Sequence, residues 1–105
     1  MTTSSKKPAR LPAAGLAGMA EVLKVLAHAD RLRIVELLDL AGEQPVHAIV
    51  ADLAQPQGSV SGQLNKMRRA GLITARRQGK EVWYRLANPH VLTILNCIRT
   101  KGCPS

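Results

Sequence analysis

From Pro45 to Leu86 the chain reads PVHAIVADLAQPQGSVSGQLNKMRRAGLITARRQGKEVWYRL, and the spacing of its apolar residues changes part-way along. Val46, Ile49, Val50 and Leu53 recur three and four apart, as on one face of a short helix. Pro45 suits the first turn of that helix, since it lacks only an N–H that the first turn leaves unpaired. Gln55, Pro56, Gln57 and Gly58 then make a tight break. The helical spacing resumes with Val60, Leu64 and Met67 and ends near Ala70, with Gly71 as the stop. Beyond Gly71 the period falls from about 3.6 to 2. Leu72 to Arg77 and Lys80 to Leu86 alternate and flank Gln78-Gly79, which predicts a two-stranded hairpin. A short helix, a turn, a second helix and a basic hairpin together predict a winged helix-turn-helix.

The flanks extend this pattern. Leu16, Met19, Leu23 and Leu26 predict a helix from Ala13 to about Ala27. Asp30 is placed to cap a second helix through its carboxylate. That helix buries Leu32, Val35 and Leu38 with Ile34 and Leu37, and Gly42 stops it. Pro89 opens a last helix with Leu92, Leu95 and Ile98, or Val91, Ile94 and Ile98, as its apolar row, and Gly102 ends it. The expected class is mainly α with a small β-hairpin, in the order ααααββα. Residues 1–12 read as a flexible basic arm, 13–101 as the domain and 102–105 as a tail.

Composition narrows the class of partner. At 105 residues the chain is one domain. It has no Phe, one Trp and one Tyr, so its core must be aliphatic, and dimerisation would add to a modest buried surface. A formal charge of +8 is the footprint expected for a polyanion, unless it is only a solvated basic surface. Lys6, Lys7 and Arg10 before the run Leu11 to Ala20 faintly imitate a signal peptide. Pro12, Gly15 and Gly18 interrupt that run, and Glu21 and Lys24 follow it at once. No stretch approaches the roughly 18 to 20 apolar residues of a membrane span. The expectation is a cytoplasmic protein whose two cysteines are thiols.

In a winged helix-turn-helix the second helix enters the major groove. Its outward positions are read here as Gln57, Ser59, Ser61, Gln63 and Lys66. Gln pairs with adenine edges, Ser serves bases or phosphates, and Lys contacts phosphate. Gly58 and Gly62 each cost a helix about 1 kcal/mol relative to Ala. Either the first turn is loose, or a small residue permits close approach to the DNA backbone. Arg76, Arg77, Lys80 and Arg85 on the hairpin suit a wing that crosses a phosphate strand. They would also suit a charged edge that blocks aggregation; next to a helix-turn-helix the DNA reading is favoured.

Three segments carry a family resemblance: VLKVLAHADRLRIVELL (Val22 to Leu38), QGSVSGQLNKMRRAGLI (Gln57 to Ile73) and ARRQGKEVWYRL (Ala75 to Leu86). Together they resemble the ArsR/SmtB family of metalloregulatory repressors over about Met19 to Ile98. The resemblance implies a homodimer made by the first and last helices, bound to double-stranded operator DNA and released by an inducer. It places Gln57, Ser59, Ser61 and Gln63 on the DNA-reading helix and Arg76, Arg77 and Lys80 on the wing. The family's Cys-Val-Cys site is absent, because Gly42-Glu43 is followed by Gln44, Pro45, Val46 and His47. A zinc site on the last helix is not expected either, with only His90 there and Asn88 where an acid would sit. His28 is expected to be a hydrogen-bonded structural residue.

Cys97 and Cys103 are the soft ligands at the C-terminal end. Six residues turn a helix through about 600°, so the two would lie on different faces unless Gly102 lets Cys103 fold back. Paired thiolates, favoured by Arg99 and Lys101, suit As(III) or Sb(III), or reversible oxidation to a disulfide or polysulfide link. As(III) prefers three thiolates, so a third donor would come from the partner subunit or from solution. Alternatively, Cys97 is a small buried hydrophobe and Cys103 a tail residue. No cofactor is required. A winged-helix module for protein–protein contact is the alternative from another class, distinguished by lacking the steep salt dependence of DNA binding. A thiol enzyme lacks its Cys-x-x-Cys pair or nucleophile–base arrangement.

Overall fold

The computed structural model describes Arg10 and residues 12–101. The expectations placed on residues 1–9, 11 and 102–105, including Gly102 and Cys103, lie outside the described residues, as do those placed on the side chains of His90, Ile98 and Lys101. Eight elements follow in order: α1 (Ala13–Leu26), α2 (Ala29–Ala41), β1 (Gln44–Pro45), α3 (Val46–Leu53), α4 (Gln57–Arg69), β2 (Ile73–Gln78), β3 (Glu81–Leu86) and α5 (Pro89–Lys101). The class is the expected one, mainly helical with a small antiparallel sheet. The sheet has three strands in the order β1-β3-β2.

The core is aliphatic. Ile34, Val35 and Leu38 of α2, Ile49 of α3, and Val60, Leu64 and Met67 of α4 are buried together with Leu72, Ile73, Val91 and Leu95. α2 and α4 each supply residues three and four apart, the stripe that one face of a helix presents to its neighbours. α4 stops as Gly71 predicts. Leu72 N–H donates to Met67 O and Gly71 N–H to Arg68 O, both at 3.0 Å, and Gly71 takes the left-handed φ of 78° which that closure requires. Leu72 and Met67 are both fully buried, the apolar contact that accompanies the motif.

Three local expectations are corrected. α2 begins at Ala29 with His28 as its cap residue, and no side chain caps it. Asp30 lies inside the first turn, and its Oδ2 accepts a hydrogen bond from Gln55 Nε2 at 3.0 Å. His28 itself is exposed. Pro45 precedes α3 rather than opening it: with φ −76° and ψ 159° it is extended and pairs with Trp83 in β1. Proline tolerates this because β1 is an edge strand, where one missing donor breaks no central ladder.

The hairpin turn is Gly79-Lys80, one residue beyond the expected Gln78-Gly79, with Gln78 opposite Glu81. Gly79 at φ 66° supplies the positive φ that a two-residue hairpin turn needs. Of the wing residues only Ile73 and Tyr84 are buried, so the hairpin stands out from the core.

Candidate nucleic-acid interface

The helix-turn-helix is α3, the turn 54–56 and α4. Ala54 in the left-handed region (φ 54°, ψ 42°) reverses the chain, and Pro56 precedes α4 in an extended conformation. Val60, Leu64 and Met67 fix the rotation of α4 by burying one row. At about 100° per residue, Gly58, Gly62, Asn65 and Arg69 lie opposite that row, and all four are exposed. The expected readers fall on the flanks. Gln57, Ser59 and Lys66 are exposed, whereas Ser61 and Gln63 are half-buried.

Two flank residues are engaged within the protein. Gln63 Oε1 accepts from Arg31 Nε at 2.6 Å. Ser59 Oγ lies 3.5 Å from Gln55 Oε1, a long contact. Asn65, Arg68 and Arg69 were missed by the sequence reading. The helical rotation that marks Val60, Leu64 and Met67 as inward would have found Asn65 and Arg69. From Gln57 to Arg69 the helix carries no acidic residue, and among the described residues Lys66, Arg68 and Arg69 make no ion pair. These cations also sit favourably at the negative end of the helix dipole.

The wing splits its cations. Side chains alternate across a strand, so Arg76 and Arg77 point to opposite faces of the hairpin. Arg76 is held by Glu43, with Nε donating to Oε2 at 2.7 Å and Nη2 to Oε1 at 2.8 Å. That hydrogen bond holds the Glu43 carboxyl below its ordinary range and raises Arg76 further. Arg85 Nε donates to Thr74 Oγ1 at 3.3 Å. Arg77 and Lys80 are exposed near the tip, and no hydrogen bond or ion pair engages them among the described residues. Gln57, Ser59, Lys66, Arg77 and Lys80 are thus exposed, while Gln63 and Arg76 are engaged by protein partners.

Away from this face, α1 leaves Leu16 (53%), Met19 (38%) and Leu23 (48%) exposed and buries only Leu26. No helix among the described residues is long and apolar enough to cross a membrane.

Residues 28–75 match the model of the bacterial regulatory proteins of the arsR family. The transcriptional repressor PagR of Bacillus anthracis is 39% identical over 79 residues, spanning 75% of this chain and 79% of the relative. The chain belongs to the ArsR family. It is a transcriptional regulator on the winged helix-turn-helix DNA-binding fold. The arsenical resistance operon repressor of Escherichia coli K12 is 42% identical over 71 residues, covering 68% of this chain and 60% of that one. A homodimeric winged helix-turn-helix DNA-binding domain from Mycobacterium bovis superposes with a TM-score of 0.75 at 34% identity, over 84% of this chain and 81% of that one.

In this ArsR-family chain the segment after Gly42-Glu43 contacts the wing. His47 Nδ1 lies 2.5 Å from Glu81 Oε2, joining the start of α3 to the wing. Together with Glu43–Arg76, this puts two polar ties between the hairpin and the stretch 43–47 that leads into α3. Among the described residues no three His, Cys, Asp or Glu side chains converge as a metal site would require. Cys97 is a free, exposed thiol on α5, which overturns the buried-hydrophobe reading for the isolated chain. Arg99 is drawn off to α2, with Nη1 donating to Asp39 Oδ2 at 2.6 Å, so its charge is not devoted to Cys97.

Proposed function

We propose that this chain is a homodimeric repressor that holds double-stranded operator DNA with α4 and the wing and releases it when an inducer reaches its C-terminal cysteines. The observation that carries the DNA reading is the acid-free, exposed face of α4 opposite its buried row. On that helix Gln57, Ser59, Ser61, Gln63 and Lys66 are the proposed contacts, joined by Asn65 and Arg69. On the wing Arg77 and Lys80 are the proposed phosphate contacts, with Arg76 available once Glu43 lets go.

Pairing through the first and last helices is supported by the apolar row on α1. A row of three exposed large hydrophobes on a small protein marks a surface that is covered in use. The resemblance to a homodimeric domain points to a second copy of the chain as the cover. Two copies would set two α4 helices about one DNA turn apart, roughly 34 Å.

For the inducer, the exposed Cys97 thiol, with Cys103 six residues on, suits As(III) or Sb(III). Similarity to an arsenical resistance repressor supports that choice. A second reading, in which the pair is oxidised or linked by polysulfide, is favoured by the count of donors: the chain has two cysteines, and As(III) prefers three thiolates. Fluorescence anisotropy of the reduced protein on duplex from its own upstream region tests both. Release by arsenite in the wild type and not in Cys97→Ser establishes the metalloid sensor. Binding that ignores arsenite but is lost on oxidation establishes the thiol switch. Binding to no duplex removes the repressor reading altogether.

A further inference from the structure

α2 carries a cation on its core stripe. Arg31 occupies the first place in the row completed by Ile34, Val35 and Leu38, and it is only 6% exposed. Its Nη1 donates to the backbone carbonyl of Val25 at the end of α1 at 2.9 Å. Its Nε donates to Gln63 Oε1 on α4 at 2.6 Å. Among the described residues no carboxylate pairs with it. A buried guanidinium with only neutral acceptors holds those acceptors firmly, because losing one would leave a charged donor unmatched.

The consequence falls on the amide of Gln63. A guanidinium has five donors and no acceptor, so the amide atom turned toward Arg31 is the carbonyl oxygen. The chemistry of the partner settles which end it is, where geometry alone leaves an amide flip open. The NH2 end is thereby turned away from Arg31. Gln63 sits on the flank of α4 shared with Ser59 and Lys66, about 60° from the buried row, and is half-buried.

A glutamine free to use both ends reads adenine, accepting from N6 and donating to N7. In Gln63 the oxygen keeps a second lone pair, but the bond from Arg31 fixes the amide's orientation, so that the two ends are not both free to turn to one base edge. We propose that Arg31 sets the base preference of Gln63 by fixing its amide with the carbonyl toward Arg31, so that Gln63 presents its NH2 end as a donor selecting guanine over adenine at one position of each operator half-site. Guanine presents two adjacent acceptors, N7 and O6, to the NH2 group, whereas adenine presents N7 beside a second donor that repels it. Arg31 is a positioning residue in this scheme, since it touches no base itself. The inference rests on α4 entering the major groove, as proposed above.

The test begins with selection of duplexes from a randomised library by the full-length, reduced protein. Each selected position is then measured as guanine, adenine and 7-deazaguanine. Wild type should show a position where guanine is preferred over adenine about ten-fold and where 7-deazaguanine loses much of that advantage. Gln63→Ala should flatten that position and leave the others as they were. Arg31→Met should release the carbonyl and move the preference to adenine, while Arg31→Lys, which retains a donor, should keep guanine. A purely structural Arg31 would change stability and leave the guanine-to-adenine ratio alone.

If Arg31→Met does not fold, Gln63→Glu serves instead: its carboxylate pairs with Arg31, has no donor to offer and must lose the guanine preference. Selection of adenine by the wild type at the Gln63-dependent position overturns the inference, as does a profile that Gln63→Ala leaves unchanged. A protein that selects no duplex overturns the DNA-binding reading and this inference with it.

Discussion

Helices α1 and α4 both leave one face without a partner in the single chain, and the two faces have opposite chemistry. α1 exposes Leu16, Met19 and Leu23. α4 exposes Gly58, Gly62, Asn65 and Arg69, with Lys66 and Arg68 at the sides. An apolar row gains free energy only by leaving water, at about 25 cal/mol per Å² buried, so it asks for another apolar surface. A small, polar and cationic row gains little from burial in protein and much from a polyanion whose counterions it can release. One helix is thus suited to a second copy of the chain, and the other to a nucleic acid.

Breaking the α1 half of that comparison should have the largest effect. In Leu16→Glu/Leu23→Glu the replaced side chains are already half in solvent, so the single chain keeps its core. Carboxylates facing each other across a dimer would keep the copies apart. Sedimentation should report a monomer, and duplex affinity should fall about a hundred-fold or more, because the second half-site is no longer tethered to the first. A double variant that stays dimeric would place the interface elsewhere.

The α4 half is sharpened by Gly62→Ala, with a smaller effect. A Cβ built on Gly62 meets nothing within 4 Å, so the fold does not require glycine there. Alanine should stabilise an exposed helical site by about 0.5 to 1 kcal/mol, which raises the melting temperature by several degrees. If the glycine exists to let the helix backbone approach DNA, the same variant should bind duplex about five-fold more weakly. Higher stability with unchanged affinity would remove close approach as the reason, and with it the central role of this face.

The α1 and α4 rows were legible in the sequence because each is a local pattern, and a helix turns by a fixed angle per residue. The stop at Gly71 was legible for the same reason. The centre of the α4 face was within reach too: Gln57, Ser59, Ser61, Gln63 and Lys66 flank it, and counting round from Val60 and Leu64 lands on Gly62 and Asn65. Other features were beyond local reading. The hairpin turn slipped one residue because Gln78-Gly79 and Gly79-Lys80 both offer a glycine, and only the pairing of Gln78 with Glu81 decides between them. Asp30 looked like a cap until Gln55, 25 positions away, took its carboxylate. Arg31 and Gln63 are 32 positions apart, and Glu43 and Arg76 are 33. Such polar pairs form because the apolar rows bring the elements together, and nothing in their own spacing announces them.

The smallest effect concerns the wing, where one cation is already spoken for. Glu43→Gln removes the carboxylate that holds Arg76. At neutral pH Arg76 is then free for phosphate, and the slope of log affinity against log salt should steepen by about one contact. The same pair has a pH signature. Because Glu43 is held below its ordinary 4.5 by the Arg76 hydrogen bond, its contribution to stability is present above that value and is lost as pH falls through the depressed one. The difference in melting temperature between wild type and Glu43→Gln should therefore be small at pH 7, in the wild type's favour, and vanish in acid. An unchanged salt slope would mean that Arg76 never reaches DNA. The wing would then act through Arg77 and Lys80, and Arg76 would serve to brace the hairpin against the segment that leads into α3.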